Sequence, residues 1–330
     1  MPSVSVVIPT AGRRPRLLRR AVDSALAGQE AGAVEVIVVP NGPAADWRDA
    51  IAALPVSPGL VISPIESANV SAARNHGLAV ARGELVRFLD DDDFLCPDAA
   101  ARQYRELLAA PADLSSCAVR IEDERGQVFA TLAQPAIDDV VAAQLGVDRL
   151  PLPLAHVYRR AVLDGIRWNE DYHVAEDIAW LLTVLTRREL RWIRSEDVVG
   201  VWYQHGGPRL TYPHAAHEPN RVTAASLQDA VAALDARGVL DKGRTAAAAA
   251  GLWTCVHRAF YLRPWFWHRV AQRALALDRD VRPTSILFRR PAWRRHPLLL
   301  EWLAFPGRLA LYLATRLRGR LLGWNHVRHL

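Results

Sequence analysis

Three short apolar runs, SVSVVI at residues 3–8, VEVIVV at 34–39 and LVRFL at 85–89, recur through the first hundred residues with helical patterns between them. Runs that are apolar almost throughout, rather than at every second position, belong to strands covered on both faces. After the first run, Leu18, Ala21, Val22, Ala25 and Leu26 share one helical face, and Gly28 stops it. Pro40-Asn41-Gly42 ends the second run as a turn signal, and residues 60–62 read as a further strand. Residues 71–81 and 97–108 read as helices, the first ended by Gly83. Strands alternating with helices predict an α/β fold: a mostly parallel sheet with flanking helices.

Beyond residue 115 the alternation loosens. Glu124-Arg125-Gly126 reads as a turn between strands at 118–121 and 128–132. Ile178, Leu181, Leu182 and Leu185 predict an amphipathic helix over 175–188, and 198–203 reads as a strand. From about residue 220 the pattern is helical. The formal charge changes sign at the same place, from −7 over residues 1–220 to +13 over 221–330, a contrast that the overall +6 conceals. We therefore expect two domains, 1–217 and 218–330. Three scattered cysteines give no disulfide framework and no CxxC pair, which fits a reducing, cytoplasmic setting. MPSVSVVIPT enters a strand directly, so no signal peptide is expected. The longest stretch free of formal charge, residues 50–65, holds three prolines and does not read as a membrane span.

Four aspartates, Asp90, Asp91, Asp92 and Asp93, close the 85–89 run. Like charges at the end of a buried strand repel one another and resist desolvation, so something must offset them. Ligands of open α/β sheets bind outside the carboxyl ends of the strands, which is where these residues fall. If the chain stays extended there, Asp90 and Asp92 face one way and Asp91 and Asp93 the other. Carboxylates converging on one point call for a cation, and oxygen ligands suit Mg²⁺ or Mn²⁺. The other reading is a solvated acidic turn leading into the next helix. No GxGxxG, phosphate-binding loop or zinc spacing accompanies the run, which takes support from a nicotinamide enzyme or an ATPase.

Taken in order, SVSVVIPTAGRRPRLLRRAVDSAL, EVIVVPNG, ESANVSAARNHGLAVARGELVRFLDDDD and RWNEDYHVAEDIAWLLTVL resemble the family 2 glycosyltransferases of the GT-A fold, over residues 3 to about 207. The resemblance implies a Rossmann-like sheet, a nucleotide-sugar donor, a divalent metal (Mn²⁺ or Mg²⁺) and transfer to an acceptor hydroxyl with inversion. The family's Asp-x-Asp motif falls on Asp90, Asp91 and Asp92. It implies that Asp92 binds the metal and that Asp90 or Asp91 reaches the ribose. The run of four leaves that register open by one residue.

The same resemblance places Pro9 and Thr10 at the start of the nucleotide pocket and Arg74 beside the diphosphate or an aspartate of the metal site. It makes Asp177 the general base, Glu176 its orienting neighbour, and His205 a group near the metal. Each has a plainer reading: Thr10 a turn or cap, Arg74 an exposed helical arginine, Glu176-Asp177 acidic helix capping, His205 structural. Arg13, Arg14 and Arg16 read most simply as a solvated basic face, and Trp180 and Trp202 as core. Pro40 departs from the family, which carries an aspartate there that contacts the base. Proline cannot take that role, and Asn41 is the substitute within reach. This departure is the main support for the alternative, a non-catalytic nucleotide- or glycan-binding relative that scaffolds a membrane-associated assembly.

Residues 221–330 lie outside the resemblance and hold six of the eleven tryptophans. Leu309, Leu313, Leu317 and Leu321 recur at four-residue intervals, with Arg316, Arg318 and Arg320 on other faces. Two readings stand: a peripheral contact with the inner membrane surface, which fits a glycan or lipid-linked acceptor, or a helical cap with a solvated basic face. No nucleic-acid-binding motif accompanies the charge.

Overall fold

The computed structural model describes residues 2–28, 32–206, 216–282 and 296–321; the side chains of residues 319–321, and with them Arg320 and Leu321, lie outside the description. It divides into two compact units, residues 1–140 with 149–207 and residues 141–148 with 208–330.

In the first unit, β1 (Val4–Thr10), β2 (Val34–Pro40), β3 (Leu60–Ile62) and β4 (Leu85–Phe88) are parallel, in the order β3-β2-β1-β4. Both β1 and β2 are buried along their whole length, as their nearly unbroken apolar runs require. α1 (Pro15–Leu26) opens on a proline, whose missing N–H costs nothing in a first turn, and buries Leu18, Ala21, Val22 and Ala25. Gly28 follows it at φ +71°. α2 (Ala44–Ala52) buries only Ala50. The side chain of Asn69 caps α3 (Val70–Val80) by accepting from the Ala72 N–H. Gly77 lets α3 sit hard against β1: a Cβ there would lie 2.3 Å from Val7 Cγ1.

Past β4 the sheet becomes mixed. β5 (Phe94–Leu95), α4 (Pro97–Ala109), β6 (Leu114–Asp123) and β7 (Val128–Leu132) follow, then α5 (Val140–Leu145), β8 (His156–Arg159), α6 (Glu176–Arg187) and β9 (Trp192–Gln204). The full order is β3-β2-β1-β4-β8-β6-β9-β5, with β7 on β6. The parallel expectation holds for the first four strands and for β6 with β9; β8, β7 and β5 pair antiparallel. Trp168 and Trp180 stack at 4.6 Å beneath Phe88 and are core, while Trp202 packs against the apolar cluster.

The second unit holds nearly all of α5, together with α7 (His217–Ala236), α8 (Lys242–Ala259), α9 (Pro264–Leu277) and α10 (Pro297–Leu321). Glu301, 1% exposed, ties α10 to α8 through His257 Nδ1 at 2.6 Å and also accepts from Arg308 at 3.0 Å. The leucines at 299, 303, 311, 313 and 317 stay exposed. By length and composition α10 is long and apolar enough to cross a membrane, although only 11% of its most apolar window is buried.

Candidate active site

Parallel register sets the heights of the strand ends. Val7 pairs with Phe88 and Thr10 with Pro40, so the residues following β1, β2 and β4 meet at one edge. Three residues past each member of the Val7–Phe88 pair stand Thr10 and Asp91. The Thr10 hydroxyl donates to Asp91 Oδ2 at 2.5 Å and accepts the Gly12 N–H at 3.0 Å, serving both the turn and the aspartate. Pro9 is buried beside it. Asn41, 9% exposed, donates its backbone N–H to the Thr10 carbonyl at 2.9 Å, and Gly42 turns the chain away at φ +98°. Pro9, Thr10 and Asn41 thus flank the aspartate run. Pro40 brings no carboxylate.

The aspartates do not stay extended. The Asp93 N–H closes a turn on the Asp90 carbonyl at 3.2 Å. Asp91 and Asp93 are buried and Asp90 and Asp92 half-buried. Yet Asp91 and Asp92 reach the same cation, which an extended strand would forbid, and the turn is the reason. That cation is Arg14. Its Nη2 donates to Asp91 Oδ1 at 2.7 Å and its Nη1 to Asp92 Oδ2 at 2.5 Å. Asp92 Oδ2 also lies 3.0 Å from His205 Nε2, which in turn lies 2.9 Å from Arg14 Nη1. Arg13 and Arg16 are exposed, but Arg14 is not part of a solvated face. Asp93 turns the other way and accepts from the Tyr203 N–H at 3.0 Å, anchoring the segment that carries His205. Arg20 lies over the Tyr203 ring at 3.8 Å.

Asp90 faces a second cluster. Arg74, nearly fully buried on α3, donates from Nη2 to Asp90 Oδ1 at 2.6 Å and from Nη1 to Glu176 Oε1 at 3.0 Å. Its guanidinium lies 4.3 Å from the Trp168 ring centre. It is therefore not an exposed helical arginine. It joins the aspartate turn to the first turn of α6. Two carboxylates hold its pKa above the ordinary arginine value in spite of burial. Next to Glu176 stands Asp177, its Oδ1 accepting from the Ile178 N–H at 2.8 Å. Ala175 enters α6 in the left-handed region, at φ 54°, which aims this pair.

Burial, then the neighbouring Glu176 charge, pushes the Asp177 carboxyl up to about 6. Burial does the same to Asp91, also to about 6, against the pull of Arg14. Among the described residues no group of three or more His, Cys, Asp or Glu side chains is arranged to hold a metal alone. The fit of a metal rests on two donors. Cis ligands about 2.1 Å from an octahedral cation stand about 3 Å apart, the separation of Asp92 Oδ2 and His205 Nε2. One positive group already lies between them. Carboxylate with imidazole is a donor set that could take Mn²⁺.

Three comparisons bear on this arrangement. Residues 5–142 match the family model Glycosyl transferase family 2. A curated relative from Campylobacter jejuni, "GalNAc(5)-diNAcBac-PP-undecaprenol beta-1,3-glucosyltransferase", is 23% identical over 185 residues, 55% of this chain and 59% of its own length. The chain thus spans less than two thirds of that relative. Among solved structures, S. aureus TarS 1-349 in complex with UDP-GlcNAc is similar at a TM-score of 0.64 and 15% identity, covering 97% of this chain and 92% of that one. The mannosyltransferase PcManGT of Pyrobaculum calidifontis, in complex with GDP-Man and Mn2+, gives 0.52 and 18%, covering 98% and 85%. The fold is of the GT-A type.

Proposed function

We propose, on the match of residues 5–142 to the model Glycosyl transferase family 2, that the chain is a member of that family and moves a sugar from a nucleotide-sugar donor to an acceptor hydroxyl with inversion, in glycan or polysaccharide assembly. The observation that carries this reading is the pair of acidic clusters at one sheet edge. One surrounds a cation position and the other holds a carboxyl raised toward neutrality.

Pro9, Thr10 and Asn41 flank the nucleoside, and the Asn41 amide takes the base contact that Pro40 cannot make. Asp90 and Asp91 face the ribose and the inner side of the diphosphate. Asp92 and His205 would hold a divalent ion, Mn²⁺ or Mg²⁺. Such an ion, when bound, acts as a Lewis acid toward the leaving diphosphate. Asp177 is the base. It takes the proton of the acceptor hydroxyl as that oxygen bonds to the anomeric carbon and the carbon–diphosphate oxygen bond breaks. Asp177 ends protonated, and the electron pair leaves with the diphosphate. A base pKa near 6 suits this step, since it is ionised at neutral pH yet holds a proton better than an ordinary aspartate. Glu176, tied to Arg74, fixes the first turn of α6 and raises Asp177 by its charge.

The Campylobacter relative is named for an undecaprenol-linked acceptor, which supports a glycan or lipid-linked acceptor here. The exposed leucines of α10 and the +13 charge of residues 221–330 support a peripheral contact with an anionic inner membrane surface from the cytoplasmic side.

Asp177→Asn tests the base. Transfer is expected to fall by about 10³-fold or more, while nucleotide-diphosphate affinity stays within about threefold of the parent, a change under ~1 kcal/mol. A variant that keeps more than a tenth of the parental turnover would remove Asp177 from that role.

A further inference from the structure

Arg14 occupies the position that a metal ion would need. Its Nη1 is 2.5 Å from Asp92 Oδ2 and 2.9 Å from His205 Nε2, which are themselves 3.0 Å apart. The three atoms form a nearly equilateral triangle, and the second arm of the fork is spent on Asp91 at 2.7 Å. A guanidinium cannot shed its charge at any working pH. A divalent ion and Nη1 therefore cannot both contact this oxygen and this nitrogen from the same side.

The arginine is also held on a short leash. Pro15 begins α1 directly after it, and Gly12 before it sits at φ +72°, pinned by its N–H to Thr10. A Cβ on Gly12 would lie 2.3 Å from the Trp47 backbone, so the loop follows one path. Yet the Arg14 side chain keeps 29% of its surface open, against 3% for Arg74. Of the two site arginines, Arg14 is the one with room to leave.

We propose that Arg14 is an internal counter-ion: it competes with the divalent metal for Asp92 and His205, and it yields when the diphosphate of the donor arrives to take its guanidinium. The proposal rests on the metal-site reading above. Its chemistry follows from charge. A metal entering alone must break the Arg14–Asp92 ion pair and leave that arm of the fork without a partner. A metal entering with a diphosphate leaves the arginine a bidentate anionic partner. Metal and diphosphate then assist each other, and by linkage the assistance is reciprocal. Asp92 is thus compensated in both states, by Arg14 before the donor binds and by the metal after it. The site does not hold a metal firmly until there is a diphosphate to use it.

The test measures Mn²⁺ binding to the full chain by the electron paramagnetic signal of free Mn²⁺, with and without methylenediphosphonate, for the parent, Arg14→Ala and Arg14→Lys. Without diphosphonate, Arg14→Ala is expected to bind Mn²⁺ about tenfold tighter than the parent, a gain of ~1.4 kcal/mol. Methylenediphosphonate tightens Mn²⁺ strongly in the parent and much less in Arg14→Ala. Added ethylguanidinium weakens Mn²⁺ binding in Arg14→Ala and leaves the parent unchanged. If Arg14→Ala does not fold, Arg14→Lys carries the test, since an ammonium cannot fork across Asp91 and Asp92: tighter Mn²⁺ than the parent supports the proposal, and equal affinity overturns it. Equal, measurable affinity in the parent and folded Arg14→Ala overturns the competition and leaves the metal reading standing. Absence of Mn²⁺ binding in every protein, with diphosphonate present, overturns both.

Discussion

Arg74 is the residue whose loss has consequences readable in two independent ways. In Arg74→Met the apolar stem over Trp168 is kept and the charge removed. Glu176, with 13% of its side chain exposed, then loses its cation inside the protein, a cost of about 2–3 kcal/mol for a mostly buried charge left without a partner. Asp90 has 42% of its side chain exposed, so water replaces most of what it loses and its share stays below about 1 kcal/mol. The guanidinium over Trp168 at 4.3 Å adds about 1 kcal/mol. Relief from burying the guanidinium itself offsets part of this. The net expectation is a loss of about 3 kcal/mol, or roughly 1–1.5 M in the urea midpoint at an ordinary slope for a unit of this size. The second readout is kinetic. The charge of Arg74 pulls the Asp177 carboxyl down from where burial and Glu176 push it. Without it the acid limb of the rate profile moves to higher pH. A midpoint loss below about 1 kcal/mol together with an unmoved limb would refute the bridging role.

In the parent, kcat/KM is expected to fall about tenfold per pH unit below about 6, because the base must be ionised and its pKa is raised there; a limb near pH 4 would contradict the burial argument. The same raised values bear on stability with a definite sign. Asp91 and Asp177 hold protons more tightly folded than unfolded, so their contribution favours folding below about pH 4 and is lost as pH rises through 6, which urea midpoints across that window would read. Gly77→Ala sets a Cβ 2.3 Å from Val7 Cγ1 and must push α3 off β1, at a cost of about 1–3 kcal/mol in urea unfolding. Because α3 carries Arg74, transfer falls with stability.

The parts of the fold written locally were legible in the sequence. β1, β2 and β4 are nearly unbroken apolar runs, α1, α4 and α6 carry apolar stripes, Pro15 and Pro97 open α1 and α4, and Gly28 and Gly83 follow α1 and α3 within three residues. α2 buries a single alanine and leaves no stripe to read. β5 is two residues long and β8 four, too short for a period to show. Their antiparallel pairing is a tertiary fact that no local pattern encodes. At the site, the two acidic motifs singled out by residue type lie together, bridged by Arg74 between Asp90 and Glu176. Their directions did not follow, because the turn at residues 90–93 brings Asp91 and Asp92 onto one guanidinium. In a chain with forty arginines, Arg14 looks no different from Arg13 or Arg16 until the register of β1 against β4 sets it beside them.

Calorimetric titration of the full chain with UDP, GDP, dTDP and ADP, each with and without Mn²⁺, tests the central claim most directly. Metal-dependent binding of one nucleoside diphosphate, lost together with the metal in Asp92→Asn, is the predicted result. It would also identify the base that Pro40 leaves unread. A folded protein that binds none of the four in Mn²⁺ would contradict a nucleotide-sugar site at this sheet edge.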